Sequence, residues 1–262
     1  MKLKLTYLAL ALAACVLFAF GYWRYTVSKH RRPSTYVVIL HDTSDSTPEG
    51  CGRVVGLAEQ VLSSPDFDHI STITVLGTGD ATTANEPRLL GEFRIPEIRR
   101  VIEGKRAAVR QRDELFSNLR SRCEETGQTT VSPIFMGVKR AVERLQSIKS
   151  GDDRKLLIVE TDGEETSDLQ IKRALDEAPG VKLRLPNAIQ NDNTHIVICG
   201  LAETLGEVRG ADGKVKRMTK LRSPQRADRM LEVWKGLFTN PDLVSLKPYC
   251  QETKNQVAAS VP

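Results

Sequence analysis

Tyr36-Val37-Val38-Ile39-Leu40-His41-Asp42-Thr43-Ser44-Asp45-Ser46-Thr47 sets the plan of the chain. Its first half is continuously apolar and β-branched, as expected of a strand covered on both faces. The apolar run stops at Asp42, and three oxygen-bearing side chains then alternate: Asp42, Ser44 and Ser46. Alternate residues of an extended segment project to one side, so the three converge on one small site. All are hard oxygen donors, the type that Mg²⁺ or Ca²⁺ prefers.

Working outward, the same strand pattern recurs at intervals. Ile70 to Leu76 is rich in β-branched residues, and Leu156-Leu157-Ile158-Val159 and His195-Ile196-Val197-Ile198-Cys199 are short apolar runs of the buried kind. Leu89 to Ile95 is expected to return as an antiparallel edge strand after Gly77-Thr78-Gly79-Asp80, and Leu243 to Leu246 to form a final strand. Between these lie helical periods. One starts near Pro48 and puts Val54, Ala58 and Val61 on one face. A basic one runs from about Glu97 to Cys123, with Ile102, Val109 and Phe116 in one apolar row and Ala108, Leu115 and Leu119 beside it. Ile134, Val138, Ala141, Leu145 and Ile148 step by four and three residues along a third. A short helix is expected around Leu169 to Ala178, and a last one, capped by Ser223-Pro224, turns Ala227, Leu231, Trp234 and Phe238 inward. Residues 204–222 read as an inserted basic hairpin turning at Asp212-Gly213.

Strands alternating with helices predict an α/β, Rossmann-like fold with a mostly parallel central sheet flanked by helices. Ligands of such sheets gather at the carboxyl ends of the strands. Asp42 follows the first strand, and Asp162 follows Leu156–Val159 through Glu160-Thr161. Both therefore belong to one edge of the sheet.

These residues resemble the von Willebrand factor type A (vWA) domain with its metal-ion-dependent adhesion site (MIDAS). The family's D-x-S-x-S motif is matched by Asp42-Thr43-Ser44-Asp45-Ser46. Its helix-opening Thr is matched by Ser132 in Ser132-Pro133-Ile134-Phe135, and its strand-end Asp-Gly by Asp162-Gly163. Serine keeps the hydroxyl but loses the methyl group that stiffens a threonine rotamer, and Thr129 or Thr130 is an alternative source of that oxygen. The resemblance covers about residues 35–250. It implies metal ligands Asp42, Ser44, Ser46, Ser132 and Asp162 for Mg²⁺, or Mn²⁺ or Ca²⁺, and no catalytic residues. It also implies a protein partner that presents an acidic side chain to the metal. The topology of such a domain further suggests the pairs Cys51–Cys123 and Cys199–Cys250.

Composition sets the outer bounds. The chain has 262 residues, 40% hydrophobic and 27% charged, which excludes a disordered chain. The excess of 38 Lys and Arg over 33 Asp and Glu, a net +5, permits an anionic partner without demanding one. Leu5 to Trp23 carries no charge, lies between Lys4 and Arg24, and ends in the aromatic pair Tyr22-Trp23. It just spans a hydrocarbon core of about 30 Å. Residues 1–24 are thus expected to be a signal anchor or transmembrane segment, 25–34 a basic linker, 35–250 the vWA-like domain and 251–262 a loose tail. The anchor is expected to be single-pass, with the domain facing out of the cytoplasm. Leu12-Ala13-Ala14-Cys15 is the alternative, a lipidation site, although the apolar run continues past Cys15. Two other functional readings stand beside the interaction module. One is a metal-dependent hydrolase or phosphatase, against which His41 is expected to point away from Asp42. The other binds anionic lipid or nucleic acid through the basic helix and hairpin; nucleic acid is the less expected.

Overall fold

The strand Thr35–His41 (β1) is buried almost throughout, because both of its faces are covered. The computed structural model describes residues 15–23, 34–44, 50–62, 70–78, 86–94, 104–125, 132–148, 153–177, 188–209 and 215–250. After β1 come helix α1 (Gly50–Leu62), strands β2 (Ile70–Gly77) and β3 (Arg88–Arg94), and helices α2 (Gly104–Glu125) and α3 (Ile134–Gln146). Then follow β4 (Arg154–Glu160), α4 (Leu169–Asp176), β5 (Thr194–Cys199), β6 (Glu203–Arg209), β7 (Val215–Leu221), α5 (Pro224–Gly236) and β8 (Val244–Lys247).

Among the described residues the central sheet has the order β3-β2-β1-β4-β5-β8. Every pairing is parallel except β2 with β3, which is antiparallel. The chain winds from β1 towards β3 on one side and from β4 towards β8 on the other. The order therefore reverses between β1 and β4, the place where an open α/β sheet leaves a crevice. In register, His41 lies beside Glu160, so the residues that follow the two strands emerge together.

Side chains alternate between two layers. Val37, Ile39 and Ile158 pack with Val54, Ala58, Leu115 and Leu119 of α1 and α2. Val38, Leu40, Leu157 and Val159 pack with Ile134, Val138, Leu145, Ile171, Met230 and Trp234 of α3, α4 and α5. Two helix faces differ from the expected stripe. In α2 the buried pair is Leu115 and Leu119, while Val109 is 43% exposed. The reason lies across the interface: β3 offers Gly91 there, where an added Cβ would stand 2.8 Å from Leu115 Cδ1 and 3.1 Å from Leu119 Cδ2. In α5 Trp234 and, just beyond the helix, Phe238 are buried as expected, while Ala227 and Leu231 are only partly buried and Arg229, Met230, Val233 and Leu237 complete the inward face. Its cap is as expected, with Ser223 Oγ accepting from Arg226 N.

β6 and β7 pair antiparallel as the inserted hairpin, apart from the central sheet. The pair Cys199–Cys250 is a disulfide. The other expected pair, Cys51 with Cys123, involves side chains outside the described ones. Residues 1–33 form a separate unit. Within it, residues 15–23 are helical, with Val16, Leu17, Phe18 and Trp23 exposed. Residues 5–14 of the expected span lie outside the described ones. Among the described residues no helix is long and apolar enough to cross a membrane.

Candidate functional site

Asp42 is the first residue beyond β1. Its amide donates to the carbonyl of Glu160 at 2.9 Å, which continues the β1–β4 ladder by one step and fixes its side chain on the α3 layer. The carboxylate is fully buried. Ser132 Oγ donates to it, standing 3.1 Å from both Oδ1 and Oδ2. Thr161 Oγ1 donates to Oδ2 at 2.7 Å, and the Ser44 amide donates to Oδ1 at 3.0 Å. The last is an Asx turn, which bends the chain sharply after Asp42. Buried carboxylates persist where they are hydrogen-bonded, and this one is supplied from three loops.

Ser132 is placed by its own backbone. Its amide donates to Thr166 Oγ1 at 2.6 Å, and its carbonyl accepts from Thr166 N at 3.3 Å. Pro133 follows, and α3 begins. Pro133, at the N-cap, makes no side-chain capping bond to that helix; Glu165 caps it from across the loop, its Oε2 accepting from Phe135 N at 2.7 Å. Its Oε1 accepts from Ser167 N, Ser167 Oγ and Asp168 N at 2.7, 2.5 and 3.1 Å. Burial pushes the Glu165 carboxyl up from the ordinary glutamate range, against the pull of the hydrogen bonds from Ser167, Phe135 and Asp168.

Asp162 is also fully buried, at the end of β4. Its Oδ1 accepts from Glu164 N at 3.0 Å. Its Oδ2 is 3.0 Å from Nη2 of Arg222, a residue just past β7. Gly163 then turns with φ +80°, a conformation that favours glycine. Its carbonyl accepts from Trp234 Nε1 at 3.1 Å, which ties this loop to α5.

Of the five expected metal ligands, the structure brings Asp42 and Ser132 into direct contact and seats Ser44 and Asp162 at the same edge of the sheet. Ser46 lies outside the described residues, as do Thr129 and Thr130. Thr161, Glu165 and Arg222 belong to the site and were not expected there. Thr161 is the residue between two expected features and carries no motif of its own. Arg222 reads only as one more cation of the basic hairpin.

The donor set suits a hard cation at Asp42 and Ser132. An hydroxyl whose proton goes to a carboxylate has only lone pairs left for a further partner, and neutral oxygens beside carboxylates are what Mg²⁺ or Ca²⁺ takes. At Asp162 a cation of the chain's own already stands against the carboxylate.

On the opposite layer, beneath this edge, lies a buried group of charges. His41 Nδ1 bonds Glu160 Oε2 and so points away from Asp42, as expected. Arg53 Nη1 of α1 is 2.5 Å from Glu203 Oε2 and 3.7 Å from Glu160 Oε1. Burial raises the Glu160 carboxyl, opposed by His41 and Arg53. Burial lowers His41, but the Glu160 charge and hydrogen bond outweigh it, and the imidazole ends above its ordinary value.

No family model matches the chain. No curated protein matches it either. Among solved structures it is similar to the pilus adhesin SpaC from Lactobacillus rhamnosus GG, at 13% identity and TM-score 0.49, over 88% of this chain and 30% of that one. The chain thus spans less than a third of the adhesin's length. It is also similar to an aerotolerance-related membrane protein from Bacteroides fragilis, at 12% identity and TM-score 0.41, over 87% of this chain and 96% of that one. A third likeness is to the conserved hypothetical protein BatB from Bacteroides thetaiotaomicron, at 11% identity and TM-score 0.43, over 87% and 97%. Likenesses this distant decide neither family nor activity.

Proposed function

We propose that the chain is a membrane-tethered, vWA-like protein-interaction module with a MIDAS-type site. Asp42, Ser44, Ser46, Ser132 and Asp162 would hold Mg²⁺, or Mn²⁺ or Ca²⁺, and residues 5–23 would anchor the domain on the outer side of the membrane. The observation that carries this reading is the buried contact of Ser132 Oγ with both oxygens of Asp42, at the point where the strand order reverses. A bound divalent ion supplies Lewis acidity and an open coordination position for a partner's carboxylate. The chain's own residues do the rest. Asp42 orients the Ser132 hydroxyl, Thr166 fixes the Ser132 backbone, and Glu165 holds the start of α3 against the Asp162 loop.

The module is read as non-enzymatic. The imidazole next to Asp42 in sequence is committed to Glu160 on the other layer, so it does not serve as a base for water at Asp42.

The test is calorimetric titration of Mg²⁺ and Mn²⁺ into the chelator-stripped full chain in detergent, beside Asp42→Ala. Saturable binding in the parent that disappears in the variant is the expected result. Binding that survives Asp42→Ala refutes the site. Turnover of simple phosphoesters that is lost in Asp42→Ala refutes the non-enzymatic reading.

A further inference from the structure

Asp162 is paired with a cation that the chain supplies from a distant insertion. Arg222 follows the last residue of β7, and its side chain is only 10% exposed. Nη2 donates to Asp162 Oδ2 at 3.0 Å and to the Asp162 carbonyl at 3.3 Å, and Nη1 donates to Glu164 Oε1 at 2.5 Å. Its Nε is buried and finds no hydrogen-bond partner. Arg226, in the first turn of α5, takes the other side of Glu164, with Nη2 2.9 Å from Oε2.

Two guanidiniums thus stand against the carboxylates of Asp162 and Glu164, and Arg226 Nη1 also reaches Asp176 Oδ1 at 3.4 Å. The Arg222 fork is also divided unequally. Its bond to Glu164 is at the partly exposed end of the pair, and its bond to Asp162 is at the buried end. Arg222 therefore has a second carboxylate to keep if it gives up the first, and its unpartnered Nε regains water on moving outward.

We propose that Arg222 is the site's resident counter-cation and competes with a divalent ion for Asp162. Metal entry takes the Asp162 carboxylate from Arg222, which stays on Glu164. Because Arg222 is joined directly to β7, this exchange links the site's occupancy to the packing of the β6–β7 hairpin. The inference rests on the reading of the Asp42–Asp162 edge as a cation site, and it adds that the chain sets its own metal affinity through a residue outside the ligand set.

The experiment compares Mg²⁺ and Mn²⁺ titrations of the chelator-stripped full chain with those of Arg222→Gln, Arg222→Lys and Asp42→Ala. Removing a close competing charge is expected to tighten metal binding by at least about tenfold in Arg222→Gln. Arg222→Lys, which keeps the charge without the planar fork, should fall between, and it carries the comparison should the Gln variant fail to fold. Affinity unchanged in Arg222→Gln and Arg222→Lys, with binding abolished in Asp42→Ala, overturns the competition and leaves the cation site standing. No binding in the parent or in either Arg222 variant overturns both. Amide exchange supplies an independent readout. Protection of 215–221 should drop when Mn²⁺ is added to the parent, and unchanged protection under saturating metal overturns the link to the hairpin.

Discussion

Replacing Glu165 tests whether one buried carboxylate holds the two halves of the site together. Its Oε2 accepts from Phe135 N at the start of α3, and its Oε1 accepts from Ser167 N, Ser167 Oγ and Asp168 N beyond Asp162. In Glu165→Ala the amides of Ser167 and Asp168 can turn to water, because both residues lie near the surface. The Phe135 amide cannot, since Phe135 is 5% exposed. A buried donor left unpaired costs about 1–3 kcal/mol, and hydrogen bonds to a charged acceptor are each worth about 1.5–3. With most of the loop's bonds recovered by solvent, the expected loss for Glu165→Ala is about 2–4 kcal/mol. Glu165→Gln keeps one oxygen and sets an amide group against the other donor, so it should lose about 1–2 kcal/mol. The assay is urea unfolding followed by the fluorescence of Trp234, which is fully buried beside this loop. The pH dependence has a definite sign. Burial raises the folded carboxyl above its unfolded value. Its contribution is therefore complete below the unfolded pKa and is lost as pH rises through the folded one. The stability gap between the parent and Glu165→Gln should narrow with rising pH across that window. An Ala variant within about 0.5 kcal/mol of the parent, the spread of inconsequential surface changes, refutes the reasoning.

Two further outcomes follow from the same frame. Gly163→Ala should destabilise by about 1–3 kcal/mol, because φ is +80° and the added Cβ would stand 2.7 Å from Leu201 Cδ2; urea midpoints equal to those of the parent would show that the turn relaxes. Reducing Cys199–Cys250 opens a loop with a sequence separation of 51, for which chain entropy gives about 4 kcal/mol. Unfolding curves with and without reductant, beside Cys250→Ser, measure it, and a shift below about 1 kcal/mol contradicts it.

What the sequence disclosed depends on the range of the interaction. The apolar run at Tyr36–Leu40 announces a doubly covered strand, and the alternation of Asp42 and Ser44 after it is local. The placing of Asp42 and Asp162 at one edge of the sheet needs only the rule that parallel strands present their carboxyl ends together. The helix faces were less legible. α2 carries more than one apolar stripe, and the neighbour chooses between them: Gly91 admits Leu115 and Leu119. Arg222 could not be singled out, since its partner Asp162 is 60 residues away and no spacing relates them. The same holds for Glu165 as the cap of α3, where an ordinary cap would have been one residue before the helix.

The disulfide has a mechanical consequence when the domain is pulled from its two ends. A pull between Ser34 and the residues after Cys250 enters at the amino end of β1 and leaves through the sulfur of Cys199, at the carboxyl end of β5. The strands β1, β4 and β5 are parallel neighbours, so the load shears both ladders at once instead of unzipping one bond at a time. Everything between Cys199 and Cys250, including Arg222, Trp234 and the four-residue strand β8, sits on a covalently closed branch that carries none of the tension.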